Sequence, residues 1–204
     1  MKHKLTLLLG LFFLLSAFKA DKPVITIFMI GDSTMANKSL MGENPERGWG
    51  QMLPGYLSEE IRVDNHAVNG RSSKSFIDEG RWEKVISQVK KGDYVFIQFG
   101  HNDEKSDPKR HTAPGSTFDE NLKHFVNETR AKGGIPVLFN SIVRRNFGAA
   151  DGNAVAQAIS QDDIQKGVNP DAKREASEQP AVAEGDKLID THGAYLDSPR
   201  NVAK

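Results

Sequence analysis

Val24-Ile25-Thr26-Ile27-Phe28-Met29-Ile30-Gly31-Asp32-Ser33-Thr34 is the stretch on which the fold turns. Its first seven residues form a nearly unbroken apolar run rich in β-branched side chains. An amphipathic surface strand would alternate polar and apolar residues. A continuous run of this length predicts a strand buried on both faces, as in a parallel sheet covered by helices. Gly31-Asp32-Ser33-Thr34 ends the run abruptly with small and polar residues.

Working outward, the same alternation recurs. Spaced apolar residues from Trp49 to Leu57 predict a helix, and Ile61 to Val68 predicts a second, more polar strand. Asn69-Gly70-Arg71-Ser72-Ser73 follows it as a turn. Trp82, Val85, Ile86 and Val89 fall at helical spacing, and Gly92 stops that helix. Tyr94 to Phe99 predicts a third strand, ended by Gly100-His101-Asn102-Asp103. Thr117 with Glu120 has the form of a capping box, ahead of a stripe made by Phe118, Leu122, Phe125, Val126 and Thr129. Gly133-Gly134 closes that helix. Ile135 to Ile142 predicts a fourth strand that tolerates Pro136 near its start. Strands alternating with helices specify an α/β fold with a parallel sheet and right-handed crossovers. The three loops GDST, NGRSS and GHND each follow a predicted strand. They are therefore expected along one edge of the sheet, where such folds bind ligands.

With 204 residues the chain suits one domain. Lys and Arg total 27 and so do Asp and Glu, so no basic excess points to nucleic acid or to an anionic membrane. Cysteine is absent, which excludes disulfides, thiolate metal sites and a cysteine nucleophile. Met1-Lys2-His3-Lys4, the apolar run Leu5 to Phe18 and Ala20 have the layout of a secretory signal peptide over residues 1–20, leaving 21–204 as the mature domain. Phe18 departs from the small residue preferred near a cleavage site, so an uncleaved anchor is the alternative. A secreted or periplasmic, bacterial and monomeric protein is expected. Residues 148–185 are polar and lack an apolar stripe, and they are expected to form a surface insertion. The chain stops at Lys204 in what reads as the start of a helix. A final strand and helix are expected to be missing.

Acyl transfer needs a nucleophile, a base and donors for a developing oxyanion. Ser33 lies just past a buried strand, where a sharp turn exposes its hydroxyl and aims a helix N-terminus at it; an ordinary helix N-cap also places a serine there. The G-x-S-x-G elbow is absent. Gly70 is able to present an unobstructed backbone N–H, although turns use glycine for its own sake. Asn102 carries an amide able to donate to an oxyanion, or to bond its own backbone. A phosphate cradle at Asn69 to Ser75 is disfavoured because G-K-[ST] is missing.

Serine, glycine and asparagine after successive strands resemble the SGNH (GDSL-like) hydrolase family. Four blocks, Ile30-Gly31-Asp32-Ser33-Thr34-Met35-Ala36, Gly48-Trp49-Gly50-Gln51, Asn69 to Phe76 and Gln98 to Asp103, look like its rhamnogalacturonan acetylesterase branch. Thr112 to Phe118 and Arg144 to Phe147 also fit it. The resemblance covers roughly residues 24–147, and weakly 186–204. It implies a flavodoxin-like three-layer α/β/α sandwich. It implies Ser33 as nucleophile and an oxyanion hole formed by Ser33, Gly70 and Asn102, with no metal or organic cofactor. The implied substrate is acetylated plant cell-wall polysaccharide of the pectic class. Asp32 and His101 are expected to line the substrate site.

The resemblance also implies a fourth block, Asp-x-x-His, whose His is the base. None follows the fourth strand. Asp190-Thr191-His192 is one residue shorter, and on a helix such a pair faces apart. His192 with Asp190 is therefore a weak candidate, and the chain as it stands is expected to be nearly inactive. His124 is expected at the surface beside the apolar stripe, His111 in a polar loop and His66 within a strand. A carbohydrate-binding relative without its base, and a general carboxylesterase or lipase of the same fold, are the alternatives. The polar loop residues Lys38, Arg71, Lys74, Asp103 and Lys105 favour a sugar over a lipid.

Overall fold

A computed structural model of the chain describes residues 24–42, 44–142, 147–148, 187–188 and 192–204. The leader at 1–20, Asp190 and the polar stretch 148–185 apart from Gly148 lie outside the described residues. Four strands, β1 (Ile25–Gly31), β2 (Ile61–Asn65), β3 (Tyr94–Gln98) and β4 (Ile135–Phe139), form one parallel sheet in the order β2-β1-β3-β4. Met29 pairs with Asn65 on one side and with Phe96 on the other, so β1 is central. This is why its sequence is unbrokenly apolar. Successive side chains point to opposite faces, and both faces are covered.

On one face Phe28, Ile30, Val95 and Ile97 pack against α2 (Ser73–Asp78), α3 (Arg81–Ile86) and α4 (Thr117–Ala131). On the other, Ile27 and Met29 meet Met35, Ala36 and Ala67, with Trp49, Leu53 and Leu57 partly buried over them. The arrangement is a parallel central sheet flanked by helices, the three-layer α/β/α form. The chain ends in a short 3-10 turn (Gly193–Leu196) and α5 (Ser198–Val202). A two-residue antiparallel pair joins β5 (Phe147–Gly148) to β6 (Lys187–Leu188), so the two ends of the intervening polar stretch meet. No helix among the described residues is long and apolar enough to cross a membrane.

Several local expectations are corrected. The helix expected from Trp49 to Leu57 is split into α1 (Trp49–Met52) and a 3-10 turn (Leu53–Tyr56). Pro54 lacks the N–H that a continuous α-helix would use, and Gly55 adds backbone freedom. Helix α2 occupies residues read as the end of a turn. Its cap is a reciprocal pair in which Ser72 Oγ accepts from Ser75 N and Ser75 Oγ accepts from Ser72 N, a capping box built with serine where glutamate is usual. The Thr117–Glu120 box does not form. Ser116 takes the N-cap position, and Thr117 Oγ1 accepts from Ala113 N, 2.8 Å away. The stripe behind it is as expected, with Phe118, Leu122, Phe125, Val126 and Thr129 all buried. Strand β4 is shorter than its apolar run, and Pro136 sits in it at the sheet edge, bordering only β3.

Candidate functional site

The loops after β1, β2 and β3 converge on the carboxyl edge of the sheet. The first is a single turn. Asp32 O accepts from Met35 N at 3.3 Å and from Ala36 N at 3.0 Å, and no helix continues from it, so Ser33 is not served by a helix N-terminus. Asp32 is 1% exposed, and its Oδ1 accepts from both Thr34 N and Thr34 Oγ1 at 2.9 Å. A short acidic side chain that folds back on the backbone two residues on is a strong turn former. Asp32 thus shapes the turn that raises Ser33. The Ser33 hydroxyl is half-buried and meets no hydrogen-bond partner among the described residues.

The turn is held from outside by the second block. Trp49 N donates to Thr34 O at 3.0 Å, and Trp49 Nε1 donates to Gln98 Oε1 at 2.7 Å. Thr34 Oγ1 reaches that same Gln98 oxygen at 3.1 Å. Gln51 makes a two-way amide contact with the backbone of Lys38. Asn65 Nδ2 donates to Met35 O at 3.0 Å. Nothing in the sequence around Trp49, Gln51 and Gln98 says that these side chains fix the Ser33 turn and the segment after it against the sheet.

Gly70 lies in the turn closed by Arg71 N on Val68 O, with φ +76, a left-handed conformation that favours glycine. An added Cβ would meet no atom within 4 Å, so the demand for glycine is torsional and the space above it is open. Its N–H has no acceptor among the described residues. Asn102 is 3% exposed, and its Nδ2 donates to Arg71 O at 3.1 Å, which leaves the second amide hydrogen to be directed elsewhere. Gly100, with φ +141, lets this loop pass close to Ser141, whose Oγ would stand 2.1 Å from an added Cβ.

Cross-links bring the three loops together. Val68 N donates to Gly31 O at 3.0 Å, tying the second loop to the first. Asn102 on Arg71 ties the third to the second. His101 Nδ1 lies 3.9 Å from Asp32 Oδ2, closing the circuit. Ser33, Gly70 and Asn102 each stand within two residues of such a link. Unengaged backbone N–H groups and a fixed amide at one rim can receive a negative charge that develops on an oxygen there.

The histidines divide. His101 is buried and stacks on His192, with ring centroids 4.5 Å apart. Nε2 of His101 and Nε2 of His192 both point at Ile142 O, at 2.8 and 3.0 Å. Nδ1 of His192 lies 2.8 Å from Glu104 Oε2. Both nitrogens of His192 thus lie at hydrogen-bond distance from oxygen atoms of the third loop and of the segment after β4. His192 is 3% exposed and packs against the third loop through His101 and Glu104. His124 is exposed, as expected, His111 lies exposed in its loop, and His66, expected within a strand, sits just beyond β2, stacked on Phe28.

Asp103, read in the sequence among the polar loop residues that favour a sugar, is enclosed by its own loop and the one after β2. It is 0% exposed. Its carboxylate accepts from Ser73 N at 3.0 Å, Ser73 Oγ at 2.5 Å, Thr112 Oγ1 at 2.9 Å and Gly100 N at 3.1 Å. Burial, reinforced by the Asp32 charge and opposed by the Ser73 and Thr112 hydrogen bonds, pushes it up to about 6. Its carbonyl accepts from Thr112 N at 3.1 Å and from Tyr195 Oη at 3.2 Å.

Comparison with known proteins agrees with this architecture. The model of the GDSL-like lipase/acylhydrolase family matches residues 29–204. The chain is 43% identical over 126 residues to the rhamnogalacturonan acetylesterase RhgT of Bacillus subtilis, covering 62% of this chain and 53% of that protein. It is 38% identical over 122 residues to the probable rhamnogalacturonan acetylesterase YesY of the same organism, covering 59% and 55%. The crystal structure of the Bacillus subtilis protein YxiM superposes with a TM-score of 0.55 at 25% identity, over 90% of this chain and 56% of that one. The chain thus spans about half the length of these curated relatives.

Proposed function

Because the chain belongs to the GDSL-like lipase/acylhydrolase family, we propose that the protein hydrolyses carboxylic esters through Ser33 and that its substrates are acetyl groups on pectic polysaccharide. Ser33 Oγ attacks the acetyl carbonyl, and the sugar oxygen leaves with a proton. Water then releases acetate from the acyl-enzyme. The tetrahedral intermediate places its oxyanion against the N–H groups of Ser33 and Gly70 and the amide of Asn102. His192 is not given the role of base, since both its nitrogens are directed at acceptors other than Ser33.

One observation carries the proposal: three loops are cross-linked at one sheet edge, with the Ser33 hydroxyl and the Gly70 N–H left without protein partners among the described residues. The acetylated pectic substrate is supported by the similarity to two proteins named as rhamnogalacturonan acetylesterases and by the polar character of the rim. Export by the N-terminal leader is part of the same proposal, since such a polymer lies outside the cell.

The test is acetate release from acetylated rhamnogalacturonan, with 4-nitrophenyl acetate as a second substrate, using the full-length protein and Ser33→Ala. Loss of the nucleophile is expected to lower kcat by roughly a thousandfold or more. Equal rates would remove Ser33 from the chemistry. Turnover of the nitrophenyl ester without acetate release from the polymer would leave a general esterase. Polymer binding without turnover of either substrate would leave a carbohydrate-binding protein.

A further inference from the structure

We infer that Asp103 is a positioning residue that holds the two oxyanion-donor loops in register, by clasping the loop after β2 at Ser73 while the adjacent Asn102 clasps it at Arg71. The inference rests on the proposed role of Ser33, Gly70 and Asn102. Consecutive residues of the third loop grip alternate residues of the second. Asn102 Nδ2 donates to Arg71 O, and Ser73 donates both its N–H and its hydroxyl to the Asp103 carboxylate. A single contact would leave the loops free to pivot about it. Two contacts on either side of Ser72 remove that freedom, and the donor geometry of Gly70 relative to Asn102 is then set.

The carboxylate is suited to this and an amide is not. All the groups around it are donors: Ser73 N and Oγ, Gly100 N and Thr112 Oγ1. A carboxylate has acceptor capacity for all of them, whereas an amide turns an N–H toward at least one. The Gly100 bond also curls the third loop so that Asn102 faces the second. Asn121 Nδ2 donates to Ser73 Oγ at 3.0 Å, which orients that hydroxyl toward Asp103. Thr112 approaches the carboxylate from farther along the same connection that carries Asn102 and Asp103, so its bond does not join the two donor loops. Two of the partners can therefore be told apart by function. Ser73 links the loops, and Thr112 only satisfies the carboxylate.

The experiment uses the full-length protein with 4-nitrophenyl acetate, comparing wild type, Ser33→Ala, Asp103→Asn, Ser73→Ala and Thr112→Val, each with its melting temperature. Asp103→Asn is expected to lower kcat by about 10- to 100-fold with KM within about threefold, the mark of donors misplaced for the oxyanion. Ser73→Ala is expected to lower kcat by about five- to tenfold, and Thr112→Val by less than threefold, at similar melting temperatures. Should Asp103→Asn give no cooperative melt, the Ser73 and Thr112 pair decides. Equal losses in that pair, or losses that follow melting temperature and not the loop link, overturn the inference. So does wild-type kcat in Asp103→Asn while Ser33→Ala is inactive, and that result leaves the esterase proposal standing. Wild-type protein without turnover, or Ser33→Ala as fast as wild type, overturns both together.

Discussion

The two faces of the sheet are built differently and hold different parts of the site. The face carrying α2, α3 and α4 is an aromatic core in which Phe76, Phe99, Trp82 and Phe125 form a chain of ring contacts with centroids 4.9 to 5.7 Å apart. The opposite face has a smaller buried set, Ile27, Met29, Met35, Ala36 and Ala67, under half-covered Trp49, Tyr94 and Phe96. The loops bearing Gly70 and Asn102 run into the first face through Phe76 and Phe99. The Ser33 turn rests on the second through Met35 and Ala36. The loops bearing Gly70 and Asn102 are thus anchored by apolar packing as well as by the Asn102 and Asp103 hydrogen bonds. The Ser33 turn depends far more on specific hydrogen bonds among Trp49, Thr34 and Gln98. Substitutions in the aromatic core of the first face should act mainly on stability, and those around the Ser33 turn mainly on rate.

The strongest attempt to break this contrast is Phe125→Ala. Phe125 is fully buried and touches both Trp82 and Phe99. Its truncation is expected to cost about 3–5 kcal/mol by denaturant titration, from lost burial and an unfilled cavity. The remaining folded protein should keep kcat within about threefold of wild type. A large fall in kcat at temperatures well below the melt would show that the aromatic face also sets the rate.

The second effect concerns Asp103, which joins the two loops anchored on the first face. Its folded pKa of about 6 lies above the ordinary 3.8. The folded state therefore binds the proton more tightly than the unfolded chain. The associated stability is present below the unfolded value and is lost as pH rises from about 4 to about 6, with no further change above. The full shift corresponds to at most about 3 kcal/mol. Glu79, lowered by its Arg81 and Arg71 contacts against the cost of burial, and Asp107, lowered chiefly by the Lys109 backbone N–H, act with opposite sign. Asp103→Asn isolates the term. The melting temperature of the variant minus that of wild type should rise between pH 4 and 6.5 and then level off. A flat difference would mean that Asp103 titrates normally.

Much of this is legible in the sequence. Strands β1, β3 and β4 can be read because each is an apolar run, with β1 the most continuous, while edge strand β2 shows alternating Ile61 and Val63 among polar residues. The α4 stripe followed from helical spacing alone. The three candidate residues Ser33, Gly70 and Asn102 stand out in the sequence, and the residues that support their loops do not. Asp103 reads in the sequence as one more polar loop residue, because nothing local says that Ser73, Thr112 and Gly100 will surround it. Helix α2 was missed because its cap is a serine pair, which carries weaker signal than Ser with Glu. Asp32 reads in the sequence as a substrate-lining acid, and in the structure it is 1% exposed with its Oδ1 engaged by the turn at Thr34. In each case the deciding partner is distant in sequence or is a backbone group, and residue type records neither.

The smallest stability effect should accompany a clear effect on rate, and it is the sharpest probe of the contrast. Trp49→Phe keeps an aromatic ring over Met35 and Phe139 but deletes the Nε1–H that donates to Gln98 Oε1. Gln98 Oε1 retains Thr34 Oγ1, so no buried acceptor is orphaned, and the cost should be about 1 kcal/mol. What is lost is the tie of Trp49 to the Gln98 amide, which keeps its bond to Asn140 O at 2.8 Å, so that the ring and the backbone N–H it places on Thr34 O are less firmly set against the Ser33 turn. A displacement of well under an ångström at a nucleophile can lower a rate by about tenfold. Trp49→Phe should therefore slow 4-nitrophenyl acetate hydrolysis more than Phe125→Ala does, at a fraction of its loss in stability. The reverse ranking would mean that the Ser33 turn is held by the sheet itself, and that the hydrogen bonds around Gln98 only follow its shape.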